Sequence, residues 1–420
     1  MSSKKKNTAT KEDARPALGP KRRFPEFREA EGWDVDLLGN VAEFVNEKIP
    51  LERVEVENYV STENILPDYG GIARASKLPA TGSVTRFRPN DTLVSNIRPY
   101  LKKVWVADKE GGASNDVIVI RAKQRLLPQY FSCLLKNDAF IDYVMTGAKG
   151  VKMPRGDIAS MKVYPALYPT KPEQQKIAEC LSSVDELMAA QARKVDALKT
   201  HKKGLMQQLF PREGETQPRL RFPEFQNAGE WEMRELSDFI TERNEFPTEK
   251  VPLFSLTIEA GVTPKTERYE RSFLVNDEAD AYKLVLPNDF AFNPMNLRFG
   301  AIGRHSGTEK VAVSKYYNIF SCDKSVDSRF CEIYFRSEGM VAFYDDRAIG
   351  SLIEKRRVHF AAFLKFNIRF PRLPEQQRIA SCLSSLDALI TAEAQKLAVL
   401  KTHKKGLMQQ LFPTPEEVEA

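Results

Sequence analysis

The chain has 420 residues, and 42% of them are hydrophobic, which is enough for packed cores and too many for a disordered chain. No stretch approaches the ~18 uninterrupted apolar residues that a membrane span needs, and no apolar segment follows the basic N-terminus as it would in a secretory signal. We therefore expect a cytoplasmic protein. The five scattered cysteines and the four histidines lack the spacing of zinc ligands, so we expect no bound metal.

The positive charge of the chain is concentrated at its N-terminus. Residues 1–23 carry eight Lys or Arg against two acids, which accounts for the whole formal net charge of +6. The remaining 397 residues are therefore neutral overall, and any nucleic-acid contact there depends on local clusters of charge. We predict that residues 1–21 form a disordered basic tail, which either binds phosphates loosely or only aids solubility.

Two globular regions of mixed secondary structure are predicted, at residues 22–171 and 212–373. Segments such as 91–108 are rich in β-branched and aromatic residues, which favours strands. Segments such as 127–147 and 327–346 read as helices instead. Each region therefore mixes both types of element.

A long helix is predicted after each globular region, at 172–211 and 374–413, with a short tail at 414–420. Each helix opens with Pro and Glu, which suit a first helical turn, and closes at a proline. Apolar residues recur at alternating steps of four and three, which is the pattern of a coiled-coil seam. The predicted seam residues are Ile177, Leu181, Val184, Met188, Val195, Leu198, Leu205, Leu209, Ile379, Leu383, Leu386, Ile390, Leu397, Leu400, Leu407 and Leu411.

Several helix residues do not fit a plain apolar seam. Gln191 and Glu393 interrupt it at matching places, either to set its register or as tolerated polar residues. Gly204 and Gly406 lie inside the helices, where glycine costs ~1 kcal/mol relative to alanine. Because both copies keep this glycine, we expect a partner protein or the opposing helix to approach closely there.

The chain is an internal duplication. The 14 residues LKTHKKGLMQQLFP at 198–211 recur unchanged at 400–413, and the preceding helix residues match in the same register. The motif RFPEF at 23–27 recurs at 221–225, ahead of each globular region. The helices have barely changed, whereas the globular regions have diverged. This contrast indicates that the helices share one role and that the globular regions perform different versions of another.

A single apolar seam on a long helix requires a partner helix, and the other copy is the obvious candidate. At 1.5 Å per residue, 39 helical residues span ~58 Å. We predict an α+β fold, in which two mixed α/β domains are separated by two long helices that form a coiled coil. If the helices pack as an antiparallel coiled coil, the two domains lie at its opposite ends and are related by pseudo-twofold symmetry.

Basic residues cluster in both globular regions and are interleaved with Tyr and Phe, as on surfaces that contact phosphates and base edges. For any one of them, a solvated face balanced by nearby acids is the alternative. The candidate DNA-binding residues are Arg98, Lys102, Lys103, Lys149, Lys152, Arg155, Arg298, Arg304, His305, Lys315, Arg347, Lys355, Arg356 and Arg357.

The common catalytic motifs are missing from the sequence. The segment NPMN at 293–296 is not the Asn/Asp-Pro-Pro-aromatic motif of adenine-N6 methyltransferases, and no Gly-Lys dipeptide supports a Walker-type loop. No Asp or Glu stands two residues before a Lys, as in the metal sites of many nucleases. We therefore expect no catalytic residue in this chain.

The repeated motifs resemble those of a known family. The helix opening PEQQKIA, the helix close LKTHKKGLMQQLFP and RFPEF followed by a Trp are similar to the specificity subunits of type I restriction–modification enzymes. The resemblance covers residues from about 22 to 413. RGDI at 155–158 resembles the family's lead-in to the first helix, whereas RRVHFAAFLKFNIRFP before the second helix departs from it.

This resemblance implies two target-recognition domains that each read one half of a gapped double-stranded DNA site. It implies that the antiparallel helices set the gap and dock two methyltransferase (modification) subunits, which bring S-adenosylmethionine. Two translocase–endonuclease (restriction) subunits, which use ATP and Mg, would complete the enzyme. The specificity subunit itself would bind no cofactor and carry no catalytic residue.

Two other functions compete with this interpretation. A duplicated coiled-coil adaptor without DNA binding would explain the helices, but it would not explain why only the globular regions diverged. A nuclease or methyltransferase with degenerate motifs would require activity from the isolated chain.

Overall fold

The computed structural model describes residues 19–265, 281–352 and 355–413. Nearly all of the predicted basic tail lies outside the described residues, as does the predicted C-terminal tail at 414–420. The predictions for those two segments therefore stay predictions.

The chain forms two compact units that do not follow the simple order of the sequence. Unit 1 comprises Met1–Gln191 together with Lys396–Ala420, and unit 2 comprises Ala192–Gln395. Each unit therefore contains one globular region, the beginning of one long helix and the end of the other.

The globular region of unit 1 is built from short strands and short helices, and the first long helix follows it. The strands are β1 (Asp34–Leu37), β2 (Ala42–Phe44), β3 (Lys48–Pro50), β4 (Tyr59–Val60), β5 (Ser83–Phe87), β6 (Thr92–Ser95), β7 (Val104–Val106), β8 (Gly111–Ala113), β9 (Val117–Ala122) and β10 (Pro165–Tyr168). The helices are α1 (Leu38–Val41), α2 (Pro128–Leu135), α3 (Asp138–Thr146), α4 (Ile158–Lys162) and the long α5 (Lys171–Leu209).

Three sheets organise unit 1, with strand orders β2-β9-β6-β7, β3-β5-β8-β4 and β1-β10. The segment predicted as helical at 127–147 divides into α2 and α3 at Asn137. The side chain of Asn137 caps α3 by accepting a hydrogen bond from the backbone N–H of Ala139 at 3.1 Å. The β-rich segment 91–108 likewise divides into β6 and β7 around a short 3-10 turn.

Unit 2 repeats this plan with different side chains. Its strands are β11 (Glu232–Glu235), β12 (Ile240–Arg243), β13 (Phe254–Thr257), β14 (Gly261–Pro264), β15 (Tyr282–Val285), β16 (Phe290–Phe292), β17 (Ile302–Arg304), β18 (Val311–Ser314), β19 (Asn318–Cys322) and β20 (Asn367–Phe370). Its helices are α6 (Ser328–Phe335), α7 (Glu338–Arg347) and α8 (Phe360–Leu364), followed by the long α9 (Leu373–Leu411). The sheet β12-β19-β16-β17 has the same strand order as β2-β9-β6-β7 in unit 1.

The two long helices each have 39 residues. Both begin one residue before the predicted proline and end two residues before Pro211 or Pro413. A proline disfavours the helical conformation of the residue that precedes it, which explains the early end. The predicted combination of two mixed α/β regions with two long helices is confirmed.

In unit 1, the beginning of α5 runs antiparallel to the end of α9. Ile177 and Leu181 share a hydrophobic core with Leu411 and Phe412, and Asp185 further along α5 pairs with Lys404. The residue numbers rise along one helix as they fall along the other. The ring of Phe412 also stacks on Tyr130 of the globular region, with centroids 5.5 Å apart.

Unit 2 shows the same packing with the helices exchanged. Leu209 and Phe210 at the end of α5 share a core with Ile379 and Leu383 at the beginning of α9. The ring of Phe210 stacks on Tyr334 of α6, with centroids 5.1 Å apart and nearly parallel planes. Each globular core is therefore completed by the end of the long helix that belongs to the other repeat.

The predicted seam residues lie on the inner side of these helix pairs, and every one of the sixteen is at least half-buried. Among the polar residues of the seam, Glu393 is 3% exposed and pairs with Lys194 at 3.1 Å. Lys202 and Lys404, at the other polar seam positions, pair with Asp387 and Asp185 respectively.

The two repeated sequence motifs meet in space. The guanidinium of Arg23 in RFPEF donates two hydrogen bonds to the carboxylate of Glu173 in PEQQ, at 2.7 and 2.8 Å. Arg221 and Glu375 form the same bidentate pair in unit 2, at 2.6 and 2.7 Å. Both glutamates are almost fully buried, so each pair joins the chain that leads into a globular region to the helix that leaves it.

The glutamine after each glutamate ties the same helix start to the globular region. Gln174 accepts a hydrogen bond from the backbone N–H of Leu127, just before α2, at 2.8 Å. Gln376 does the same for Asp327, just before α6, at 2.9 Å. Both side chains are 1% exposed, so the repeated PEQQ sequence is explained by buried contacts within each unit.

Candidate nucleic-acid interface

The sequence Pro-Asn-Asp occurs at 89–91 and again at 287–289, and it forms a tight turn in each unit. Asn90 and Asn288 adopt the left-handed conformation, with φ of 71° and 70°. Asp91 and Asp289 then accept hydrogen bonds from the backbone three residues earlier, at 2.8 and 3.0 Å. Asparagine and aspartate suit such turns because they tolerate positive φ and bond to nearby backbone. The recurrence of Pro-Asn-Asp in both repeats is therefore explained by the turn that it forms.

Each of these aspartates is buried and pairs with an arginine of the same sheet. Asp91 pairs with Arg121 of β9 and Asp289 with Arg243 of β12, both at 2.7 Å. Burial raises the pKa of the Asp289 carboxyl above its usual value, although Arg243 opposes that effect. These ion pairs stabilise the two four-stranded sheets β2-β9-β6-β7 and β12-β19-β16-β17.

Each globular region contains a hairpin-like loop at the corresponding place in its sequence. Loop 1 spans residues 149–155, and its ends exchange two backbone hydrogen bonds, between Lys149 and Arg155, at 2.9 Å each. Loop 2 spans residues 349–357, and Ile349 and Arg357 exchange the same pair at 3.0 and 2.9 Å. Residues 353–354 of loop 2 lie outside the described part of the chain.

Both loops are hydrogen-bonded to a segment that contains the sequence Asn-x-Arg, which occurs at 96–98 and again at 296–298. In unit 1, the N–H of Arg98 donates to the carbonyl of Pro154 at 2.8 Å. In unit 2, the N–H of Val358 donates to the carbonyl of Pro294 at 3.0 Å. These backbone hydrogen bonds hold the base of each loop.

A glycine in each loop makes these hairpins possible. Gly150 has a φ of 96°, which favours glycine because other residues rarely adopt it. A Cβ at Gly350 would lie 2.8 Å from the Cα of Arg356 on the opposite arm of loop 2, so the two arms approach too closely for a side chain there.

The candidate basic residues on the loops are mostly exposed. Lys149, Lys152 and Arg155 of loop 1 are exposed, although Arg155 also lies 3.1 Å from Asp116. In loop 2, Lys355 and Arg357 are exposed. The loop residues therefore present basic side chains that can reach a phosphate backbone.

Several other candidates are engaged within the chain. Arg298 pairs with Asp345 and Arg304 with Glu332, at 2.7 and 3.0 Å. Lys102 pairs with Asp138 at 2.6 Å. A DNA phosphate would have to compete with these carboxylates, so the three side chains are weaker candidates than those on the loops.

Hydrogen bonds to backbone carbonyls hold two more candidates. Lys103 donates to the carbonyl of Thr62 at 2.6 Å. Arg356 of loop 2 is half-buried and donates to the carbonyls of Ala348, at 3.0 Å, and Asp345. These contacts give both residues a structural role within their own unit.

The remaining surface candidates differ in their surroundings. Arg347 stacks on Phe343, 3.6 Å from the ring centroid. Lys315 is exposed in the turn between β18 and β19. Arg98 adopts the left-handed conformation, and its buried Nε has no hydrogen-bond partner among the described residues.

His305 is not a surface residue. It is 3% exposed, its Nε2 lies 2.7 Å from the carbonyl oxygen of Glu309, and its ring packs edge-on against Phe254. The sequence placed it in a basic cluster because it follows Arg304, but adjacent strand residues point to opposite faces. Its assignment as a DNA contact is therefore corrected to a buried structural residue.

Sequence analysis missed the apolar residues of the same loops. Val151 is fully exposed and Met153 is half-exposed in loop 1, and Leu352 is half-exposed in loop 2. The available signal was the sequence KGVKMPR, in which apolar residues stand inside a glycine- and lysine-rich turn.

The described residues contain neither a candidate membrane span nor a candidate metal-binding cluster. None of the helices they form is both long and apolar enough to cross a membrane. No group of three or more His, Cys, Asp or Glu among residues 19–265, 281–352 and 355–413 is placed to hold a metal ion.

Comparisons with known proteins place these features in context. The chain shares 23% identity over 419 aligned residues with the MjaVIII type I restriction enzyme specificity subunit of Methanocaldococcus jannaschii, covering 92% of this chain and 93% of that protein. It superimposes with a TM-score of 0.54 on the S subunit of a type I restriction-modification system from M. genitalium, at 13% identity, covering 94% and 99% of the two chains.

A second solved structure is similar in fold. It belongs to a study of complex assembly and conformational transition in a type I R-M system, with a TM-score of 0.56, 16% identity, and coverage of 91% and 98%. Residues 30–200 and 351–402, more than half of the chain, match the type I restriction modification DNA specificity domain. A duplicated chain with two diverged loop-bearing units, whose sequence matches along most of its length, thus belongs to the type I restriction modification DNA specificity family.

Proposed function

We propose that this chain is the non-catalytic specificity subunit of a type I restriction–modification complex. Each globular region reads one short half of a gapped, asymmetric double-stranded DNA site. The observation that carries this proposal is the pair of exposed basic loops. They are built on the same scaffold in both units, but their sequences differ, as is expected if the two units recognise different base sequences.

The energetics divide between two kinds of contact. Exposed Lys and Arg side chains such as Lys152 and Arg357 neutralise phosphates, which positions the duplex and makes binding weaken as salt rises. Base-edge contacts supply the discrimination, at ~1–3 kcal/mol for each good bidentate pair.

The long helices act as a spacer and as a docking surface for the catalytic subunits. A helix of 39 residues is ~58 Å long, whereas successive half-sites on one face of DNA lie ~34 Å apart. The identical residues 198–211 and 400–413 include exposed positions such as Lys199, Thr200 and His201, which the fold does not require. Identity at exposed positions supports two equivalent docking places for two copies of one methyltransferase subunit.

The chemistry of the complex would then lie outside this chain. S-adenosylmethionine would bind to the methyltransferase subunits. ATP and Mg would serve two translocase–endonuclease subunits. This chain would determine only where that chemistry takes place.

Methylation mapping tests the proposal directly. The chain is co-expressed with the methyltransferase subunit of its own system in a host that lacks adenine methylation, and N6-methyladenine is mapped across the genome at single-molecule resolution. We expect one gapped two-part motif, which disappears when this chain is omitted. An assembled complex that methylates no motif would contradict the proposal and would favour the coiled-coil adaptor.

A further inference from the structure

Both loops carry apolar side chains where a turn on a protein surface would ordinarily be polar. Val151 is 103% exposed and Met153 49% exposed in loop 1. Ile349 is 63% exposed and Leu352 48% exposed in loop 2. Each unit thus places two large apolar side chains in the solvent on the same loop.

An exposed aromatic ring lies in the segment that is hydrogen-bonded to loop 1, and another lies in the corresponding segment of unit 2. Tyr100 follows Arg98, the residue whose N–H bonds to loop 1, and it is 49% exposed. Phe299 follows Arg298 in the corresponding segment of unit 2 and is 51% exposed. The sequences of the two regions have diverged, yet both keep an aromatic ring and apolar loop residues there. Large exposed apolar side chains on a single surface loop mark an interaction surface.

The charge of the residues near these apolar side chains indicates the chemical class of the partner. Loop 1 contains Lys149, Lys152 and Arg155 and no acidic residue. Loop 2 ends in the basic run Lys355–Arg357, with Glu354 as its one acidic residue in the sequence. An apolar side chain with basic side chains nearby fits a groove of DNA, because the phosphates lie at the rims of the groove and apolar groups lie on its floor.

DNA offers two apolar targets to an exposed apolar side chain. The thymine C5-methyl group distinguishes thymine from the other bases in the major groove. The faces of stacked bases also accept an apolar wedge, with local unstacking of the duplex. Both contacts depend on the identity of the bases, unlike a phosphate contact. A loop held at its base by two backbone hydrogen bonds can deliver this contact at a defined place.

We propose that Val151 of loop 1 and Leu352 of loop 2 contact DNA bases directly and are specificity-determining residues, one for each half of the site. This inference rests on the proposed function and adds the residues that discriminate bases. Exposed basic residues of the same loops, such as Lys152 and Arg357, contact the phosphates.

Paired substitutions test the assignment in the co-expressed complex. Val151→Thr keeps the shape of the side chain and makes it polar, and Leu352→Asn does nearly the same in loop 2. Methylation mapping should show that Val151→Thr relaxes discrimination at a position in one half-word by ~10-fold and leaves the other half unchanged. Leu352→Asn should relax the opposite half, so each variant serves as the control for the other.

Two further controls separate base contact from other effects. Lys152→Gln removes a loop charge and should lower methylation of every site without changing either word. Val35→Thr changes an exposed valine on β1, away from the loops, and should change nothing. Because all these side chains are exposed or half-exposed, each variant should unfold at the wild-type temperature.

The outcomes distinguish this inference from the proposed function. If both loop variants methylate the wild-type words with unchanged stringency, the inference is wrong and the proposed function stands. If wild type methylates no motif, the proposed function itself fails. If a variant assembles but does not methylate, the purified complex is tested on duplexes with one scrambled half-word. Loss of discrimination for one half supports base contact, and retained discrimination for both halves refutes it.

Discussion

Lys404 on α9 donates two hydrogen bonds to the carboxylate of Asp185 on α5, at 2.6 and 2.8 Å. Lys202 and Asp387 repeat this contact in unit 2, at 2.5 and 2.6 Å. A parallel, in-register pair of these helices would instead place Lys202 opposite Lys404. The charges at these seam positions therefore favour the antiparallel arrangement and oppose the parallel one.

Reversing the charge of Asp185 should weaken this helix contact. Asp185→Lys places two cations side by side, and we expect unfolding free energy to fall by ~1 kcal/mol, since both partners remain partly exposed to solvent. The double variant Asp185→Lys/Lys404→Asp should recover most of the loss. Thermal unfolding at low and high salt measures both effects, and a double variant no more stable than the single one would contradict the assignment.

The buried arginine–glutamate pairs should contribute much more. Arg221→Ala leaves the carboxylate of Glu375, which is 2% exposed, without its bidentate partner, and we expect a loss of ~3–5 kcal/mol in denaturant unfolding. Arg378→Ala is the matched control, because it breaks a half-exposed pair with Glu224 and should cost less than ~1 kcal/mol. Equal losses would show that burial does not set the strength of these pairs.

The cap of α6 should make stability depend on pH. Asp327 accepts hydrogen bonds from the N–H groups of Arg329 and Phe330. Burial raises the pKa of this carboxyl, but the Arg329 side chain and the two N–H groups outweigh burial, and the net pKa is lowered. A lowered pKa stabilises the fold above the unfolded value of ~3.9, and this contribution is lost as pH falls through the folded value.

The Asp327→Asn variant tests that dependence, because asparagine also caps helices but carries no charge. Wild type should be the more stable protein at pH 7, by ~1 kcal/mol, and the difference should shrink as pH falls below 4. Urea unfolding of both proteins at pH 7 and pH 3 gives the comparison. A difference that does not change with pH would remove the charge of Asp327 from the explanation.

Replacing the helix glycines should stabilise the isolated chain but weaken its assembly with a partner. A Cβ at Gly204 or Gly406 would meet no atom within 4 Å, so nothing within the described chain explains why glycine stands there. Gly204→Ala and Gly406→Ala should each raise the stability of the isolated chain, by up to ~1 kcal/mol. If a methyltransferase subunit approaches the helix there, each variant should also weaken assembly, measured by calorimetry.

Gly339 provides the matched control for this experiment. It lies in the first turn of α7, where an added Cβ would also meet no atom within 4 Å. Gly339→Ala should leave assembly unchanged. Unaltered assembly in the Gly204 and Gly406 variants would show that these glycines do not mark a docking place.

The parts of the fold that could be predicted are those that repeat along the sequence. The long helices were predicted to within two residues at either end, because the heptad pattern and the flanking prolines are local signals. The duplication itself identified the structural motifs, and Arg23 with Glu173 explains why RFPEF and PEQQ occur together.

The exposure of single basic residues could not be predicted in the same way. Lys102 pairs with Asp138, which is 36 positions away in the sequence, and Arg298 pairs with Asp345, which is 47 positions away. Such partners become neighbours only when the sheets and helices pack. A cluster of charge in the sequence therefore does not reveal which side chains are free to meet DNA, as the burial of His305 shows.

The exchange of helix ends between the two units has a consequence for synthesis on the ribosome. Unit 2 is continuous from Ala192 to Gln395, so all of its residues have been made before the end of α9 emerges. Unit 1 waits for Lys396 onward, because Phe412 completes the core that contains Trp33. Although domains generally fold in order from the N-terminus, here the half that is translated first is the last to close.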